Sequence, residues 1–438
     1  MNSDTPNHQE AYVWVWLPGA TEPVVAGRVS VDVGVIVFNY GKSYLERPDA
    51  IPLYLPELPL KRGEIYPLAG LTMPGSLRDA SPDAWGRRVI VNRTFGAKRE
   101  DLNELDLSEI TFLLESGSDR IGALDFQLSP KTYEPRSQAN ATLDELLASA
   151  RRVEEGIPLT PELDQAMHHG SSIGGARPKA LIENENQKYI AKFSSTSDVY
   201  SVVKAEFIAM RLACLCGINA APVELVSASG KDVLLIERFD RVKAKNGWRR
   251  NMLVSALTIL ELDEMMARYA SYADLASIIR HRFSSPSDTL KELFKRIVFN
   301  ILCGNTDDHA RNHAAFWNGE YLSLTPAYDI CPQSRSGQEA SQAMLISSDN
   351  RMSRIATCID ACAHFLVTPD EAVQIAHEQI ECIGKNWEAV CDEAGLGGTE
   401  KNMLWARQFL NPYAFTALAG EATCLASLAD DVRRTVPT

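Results

Sequence analysis

From Thr289 onward the chain reads TLKELFKRIVFNILCG, then GNTDDHARN from Gly304 to Asn312, then HAAFWNGEYLSLTPAYD, and this passage constrains the fold more than any other. Apolar residues of the first piece recur at helical spacing, and the glycine after them is a natural stop. The second piece crowds Asp307, Asp308, His309 and two asparagines into the helix end, so a charged cluster suited to a metal ion stands there. In the third piece, β-prone runs flank Asn318-Gly319, the strongest short-range hairpin signal, and that hairpin returns Asp329 toward the cluster.

Composition bounds what such a cluster can serve. At 438 residues and 45% hydrophobic, the chain can form two or three cores. A formal net charge of -13 disfavours direct, chain-wide contact with nucleic acid, so DNA would be reached through a partner. The start, MNSDTPNHQEAYVWVWL, has no cationic stretch leading into an apolar run, and nowhere do about eighteen apolar residues follow one another. Secretion and membrane insertion are disfavoured, and a cytoplasmic protein is expected. The nine cysteines match no zinc template and read as reduced, mostly buried thiols.

Three regions follow along the chain. YVWVWL, PVVAGRV and VGVIVFNY read as strands of a β-rich domain, placed at 1–130. SPDAWGRRVIVNRTF and LDLSEITFLLES read as helices, the first with Ser81 as its cap and Pro82 in the first turn. SPKTYEPRSQANAT reads as a linker or exposed loop. The second region, 150–241, opens with HHGSSIGGARPKALIENENQKYIAKF, whose Gly170, Gly174 and Gly175 form a loop able to close backbone N–H groups around phosphate oxygens. This loop fits neither the Walker pattern nor the dinucleotide fingerprint, and alone it reads more readily as a flexible turn before a strand. ARPKALI and KYIAKF read as a hairpin, with Lys192 on the face of Ile190 in an otherwise apolar strand. A lysine there is unfavourable unless a carboxylate or anion compensates it, although an edge-strand lysine reaching solvent is the plainer alternative. SVVKAEFIAMRLACLCGI then reads as a helix that carries Glu206 within its apolar stripe. PVELVSAS and DVLLIERFDR read as two further strands, with a linker between two lobes at Glu237–Arg241. The third region, 242–438, is predominantly helical.

Asp307 and Asn312 have the Asp-x-x-x-x-Asn spacing of the protein-kinase catalytic loop, in which the Asp receives a hydroxyl proton and the Asn holds a metal. Asp329, just after the following hairpin, stands where a kinase carries its principal Mg²⁺ ligand. Taken singly, each is as readily a cap, a turn residue or a structural histidine neighbour. Their joint order after a glycine loop, a strand lysine and a helix glutamate is what favours one chemistry. A metal hydrolase site of Asp307, Asp308, His309 and Asp329 is an alternative, but it leaves the glycine loop and Lys192 unexplained.

SSIGGARPK, IAKF, IERFDR, NTDDHARN and AYDI resemble the HipA family of bacterial toxin kinases, in which these elements occur in this order. VWLPGATEPVVAGRVS, FNYGKSYLERP, IPLYLPELPL, SPDAWGRR and DRIGAL resemble that family's N-terminal domain. The resemblance implies an α+β, two-lobed protein-kinase-like fold with a β-rich N-lobe, a helical C-lobe and an additional β-rich N-terminal domain. It makes Asp307 the catalytic aspartate of a serine/threonine kinase and assigns Asn312 and Asp329 to Mg²⁺. It places Lys192 on the ATP phosphates with Gly174 and Gly175 of the loop, and Glu206 in support. Glu237 and Phe239 fall beside the adenine, while Lys179, His309 and Tyr328 line the nucleotide pocket. It implies self-phosphorylation at Ser172, with Ser171 as the alternative. The implied partners are a translation component, an aminoacyl-tRNA synthetase foremost, and a HipB-like helix-turn-helix antitoxin through which DNA is contacted, with growth arrest as the outcome. The third and fourth positions of SSIGG, and Ile330-Cys331 after Asp329, depart from patterns common elsewhere without removing a charged group. A kinase of a small molecule or lipid on the same fold, and a non-catalytic transcriptional partner, are the competing functions.

Overall fold

The computed structural model of the chain describes residues 8–95, 107–136, 141–160, 175, 177–195, 198, 200–335, 337 and 339–436. It divides into one unit of Met1–Asp198, Val226–Val254 and Phe316–Glu320, and a second of Val199–Leu225, Ser255–Ala315 and Tyr321–Thr438.

In the first unit the β-branched runs form β1 (Glu10–Val15), β2 (Val24–Asp32) and β3 (Val35–Tyr40). With β4 (Glu64–Ile65) and β5 (Leu124–Gln127) they make an antiparallel sheet in the order β4-β3-β2-β1-β5. Strand alternation buries Ala11, Val13 and Val15 on one face of β1. Helices α1 (Ala84–Phe95), α2 (Glu109–Glu115) and α3 (Leu143–Glu154) follow, α2 capped by Ser108 and α3 opened by a Thr142/Glu145 capping box.

A second sheet has the order β6-β7-β9-β8, from β6 (Lys179–Glu183), β7 (Lys188–Phe193), β8 (Val223–Ala228) and β9 (Lys231–Glu237). Trp85 and Val89 of α1 and Leu146, Ala150 and Val153 of α3 pack on Ala180, Ala191, Phe193 and Leu235. Each large apolar side chain so buried contributes about 1.5–3 kcal/mol. The fully buried Trp85 donates its Nε1–H to the Lys179 carbonyl at 3.0 Å, so its polar edge is satisfied.

Two local expectations are corrected and one is sharpened. The Ser81 hydroxyl bonds to Glu109 rather than capping α1, and Asp83, just before the helix, accepts the Gly175 N–H at 2.5 Å. The stretch after Leu128 is, as far as Arg136, the exposed loop expected, tied back to the fold at two points. Tyr133 packs against Trp14 and Trp16, and Arg136 donates to the Phe126 carbonyl and to Asp125, both at 2.7 Å. Past Glu237 the chain forms a hairpin of β10 (Arg241–Ala244) and β11 (Gly247–Arg250) that the strand pattern does not announce.

The second unit is helical: α4 (Val202–Leu215), α5 (Tyr272–Arg282), α6 (Pro286–Cys303), α7 (Pro369–Glu393) and α8 (Cys424–Thr435). Helix α7 starts in a Thr368/Glu371 capping box and packs against α4, α6 and α8. Glu206 is buried on α4, as its place in the apolar stripe implies. Strands β12 (Ala314–Trp317) and β13 (Leu322–Leu324) flank the Asn318-Gly319 turn. Gly319 has φ +100, and a Cβ there would lie 2.7 Å from Ile51, so glycine is required twice over. Among the described residues no helix is long and apolar enough to cross a membrane.

Candidate active site

Helix α6 ends at Gly304, whose φ of +74 puts it in the left-handed region; a Cβ would meet the Gln408 carbonyl oxygen at 2.7 Å. The chain is thereby turned sharply into the cluster, and Asp308 anchors it. Asp308 Oδ2 accepts from Asn300 Nδ2 at 2.6 Å, interacts with His313 Nε2 at 2.9 Å, and takes the Tyr272 hydroxyl. Burial opposes its charge, but His313, by charge and hydrogen bond, and then the Tyr272 hydroxyl hold its carboxyl below the usual range. With Asp308 committed inward, it is withdrawn from any hydrolase-type metal set. Among the described residues no group of three or more His, Cys, Asp or Glu is arranged to hold a metal ion.

Asp307, next in the chain, is exposed. Its main chain organises the loop: its carbonyl accepts the His309 N–H at 2.9 Å and the Asn312 side-chain Nδ2 at 3.2 Å, while Asn312 N–H bonds to the His309 carbonyl at 2.8 Å. Although the residue reaches solvent, the protein around the carboxyl removes part of its hydration and pushes its pKa up. His309 opposes that shift, and Asp329 and Asp308 add to it. Asp329 therefore lies near enough to repel Asp307. Asp329 has φ +59, which short polar residues tolerate better than others, and the preceding Tyr328 hydroxyl donates to the Arg311 carbonyl at 2.7 Å. The Asn312 amide bonds through its nitrogen, leaving its oxygen as the remaining donor to a cation. That oxygen and the Asp329 carboxylate are hard ligands of the type Mg²⁺ takes, with phosphate and water supplying the rest.

In the first unit, Lys179 and Lys192 stand directly opposite across β6 and β7, 5% and 9% exposed. Like charges in such a pair are unfavourable unless compensated, and both lysines have interactions of their own. Gly175 has φ +101, a conformation that side-chain-bearing residues rarely adopt, and a Cβ there would displace the end of the Lys179 side chain. Glu237, half-buried at the end of β9, accepts from Gln187 Nε2 at 3.0 Å, and Phe239 meets Phe316 edge-on at 5.8 Å. Gly174, Ser171 and Ser172 lie outside the described residues. Asp307, His309, Asn312, Tyr328, Asp329 and Glu206 thus belong to the second unit; Lys179, Lys192, Glu237, Phe239 and Gly175 belong to the first. The anchoring roles of Tyr272, Asn300 and His313 were missed in the sequence, although Asn300 inside an apolar helix stripe is a signal that could have found one of them.

These features define an α+β kinase-like fold with an N-terminal domain. Family profiles for the HipA N-terminal domain and the HipA-like C-terminal domain match residues 15–127 and 171–387. The chain belongs to the HipA family. It is 26% identical over 352 residues to the Sinorhizobium fredii "Putative kinase Y4mE", covering 72% of this chain and 76% of that one. It is 27% identical over 183 residues to the Shewanella oneidensis serine/threonine-protein kinase toxin HipA, covering 36% of this chain and 42% of that one. A solved structure of the Shewanella oneidensis HipA, HipB and operator DNA complex has a chain of the same fold, with a TM-score of 0.65 at 20% identity, covering 96% of this chain and 99% of that one.

Proposed function

We propose that the chain is a HipA-type serine/threonine protein kinase that uses ATP with Mg²⁺. The observation that carries this reading is the Asp307-to-Asn312 loop, fixed from beneath by buried Asp308, with Asp329 in its left-handed turn adding to the upward shift of the Asp307 carboxyl. Phosphoryl transfer asks a protein mainly for positioning and charge neutralisation. Asp307 orients the incoming hydroxyl and receives its proton. Asp329 and Asn312 would hold the Mg²⁺, which when bound neutralises phosphate charge. Lys179 and Lys192 attract the polyphosphate, and Gly174 and Gly175 are assigned to bind it with them. Glu237 and Phe239 of the first unit are assigned to the adenine, and His309 and Tyr328 of the second to nucleotide binding. Self-phosphorylation falls on Ser172 or Ser171.

The family relation, and the HipB and operator DNA in the Shewanella complex, support a HipB-like antitoxin as partner and contact with DNA through it. The substrate class that fits the family is a translation component such as an aminoacyl-tRNA synthetase. Asp307→Asn should keep ATP binding by calorimetry and lower ³²P transfer to protein by at least about 100-fold. Undiminished transfer by that variant would sink the assignment. Label entering metabolites or lipids instead of protein would favour a small-molecule kinase, and no ATP binding by the unaltered chain a non-catalytic partner.

A further inference from the structure

The segment after β9 has two sides. Glu237 and Phe239 are half-buried, whereas Arg238, Asp240 and Arg241 are 3%, 2% and 6% exposed. The buried side meets the loop between α2 and β5, more than a hundred residues earlier in the chain. Asp119 Oδ1 lies 2.9 Å from Arg241 Nη2 and 3.1 Å from Arg238 Nη1, and its Oδ2 lies 2.7 Å from Lys188 Nζ. Reciprocally, Asp240 accepts the Gly122 N–H at 2.7 Å and pairs with Arg238 at 2.8 Å and Arg241 at 2.9 Å. Arg238 also donates to the Arg120 carbonyl at 2.7 Å, and Arg241 to the Gly122 carbonyl at 2.8 Å. Burial works against the charge on Asp119, but Arg238, Arg241, Lys188 and Arg250 outweigh it and hold the carboxyl well below the usual range.

Such a network contributes little net stability compared with apolar packing, yet planar guanidinium forks fix geometry tightly. We infer that Asp119 of the N-terminal domain is a positioning residue for nucleotide selection. By clamping Arg238 and Arg241 it sets the strand-end segment so that the opposite side offers Glu237 and Phe239 to a purine base. This rests on the kinase reading and adds a residue that touches no nucleotide.

The test uses the full chain with Mg-ATP and Mg-GTP. Asp119→Asn is expected to raise the Kd and KM for ATP about tenfold, to leave kcat at saturating ATP within about twofold, and to narrow the preference for ATP over GTP. Asp119→Glu should recover part of the loss. Arg241→Lys keeps the charge but loses the two-pronged hold, and should repeat the shift if Asp119→Asn does not fold. An unchanged ATP Kd in a folded variant, or a fall in kcat and melting temperature with ATP preference intact, overturns the positioning role while leaving the kinase reading standing. Absence of ATP binding by the unaltered chain overturns both.

Discussion

The first unit secures its inner segments with alternating full charges, whereas the second secures its loop with one carboxylate and mostly neutral donors. Asp119, Asp125 and Asp240 are met by Arg120, Arg136, Arg238, Arg241 and Lys188, side chains long enough to join places far apart in sequence. Asp308 instead gathers Tyr272, Asn300 and His313, all within about one helix pair of it. The upward shift of the Asp307 carboxyl comes first from desolvation, and Asp329 and then Asp308 add to it against His309. The two units also divide by sign: Lys179 and Lys192 stand together in the first, and the Asp307 and Asp329 carboxylates repel each other in the second.

Acid should separate the two arrangements most widely. Asp119, Asp125, Asp240 and Asp308 all have depressed folded pKa values, so their stabilisation is complete above about pH 4 and is lost as pH falls through those lower values. With three such groups against one, the first unit should lose protection before the second when hydrogen exchange is followed by mass spectrometry from about pH 5 to pH 2. The reverse order would break the comparison.

Substitution gives the next largest effect. Asp125→Ala leaves the fully buried Arg120 without its carboxylate and should cost about 3–5 kcal/mol in urea unfolding. A loss below about 1 kcal/mol would mean that the charges in the first unit rearrange freely. Asp308→Asn, which removes charge but keeps one accepting oxygen, should cost less, about 1–3 kcal/mol. It should also slow phosphoryl transfer, because the loop carrying Asp307 loosens; a transfer rate equal to that of the unaltered chain would separate the anchor from the chemistry.

Much of this molecule was legible in its residues. Repeats of period two and period 3.6 anticipated β1 to β3, the β6/β7 hairpin, α4 and α6, and Asn318-Gly319 anticipated the turn between β12 and β13, because these depend on neighbours in sequence. Ser81 was misread because its hydroxyl found Glu109, a partner outside the helix that a local cap rule does not contain. Tyr133 and Arg136 were hidden in a stretch of loop composition, since what holds them is a tryptophan pair and an aspartate elsewhere in the fold.

The order of glycine loop, Lys192, Asp307, Asn312 and Asp329 was already written in the chain, because each type of residue carries its own chemistry wherever it is placed. Which carboxylate of Asp307-Asp308 turns inward, and which acid of the N-terminal domain grips Arg238 and Arg241, was decided only by tertiary structure. Adjacent residues of equal charge are alike until packing removes water from one of them, and that removal depends on partners brought in from distant parts of the chain.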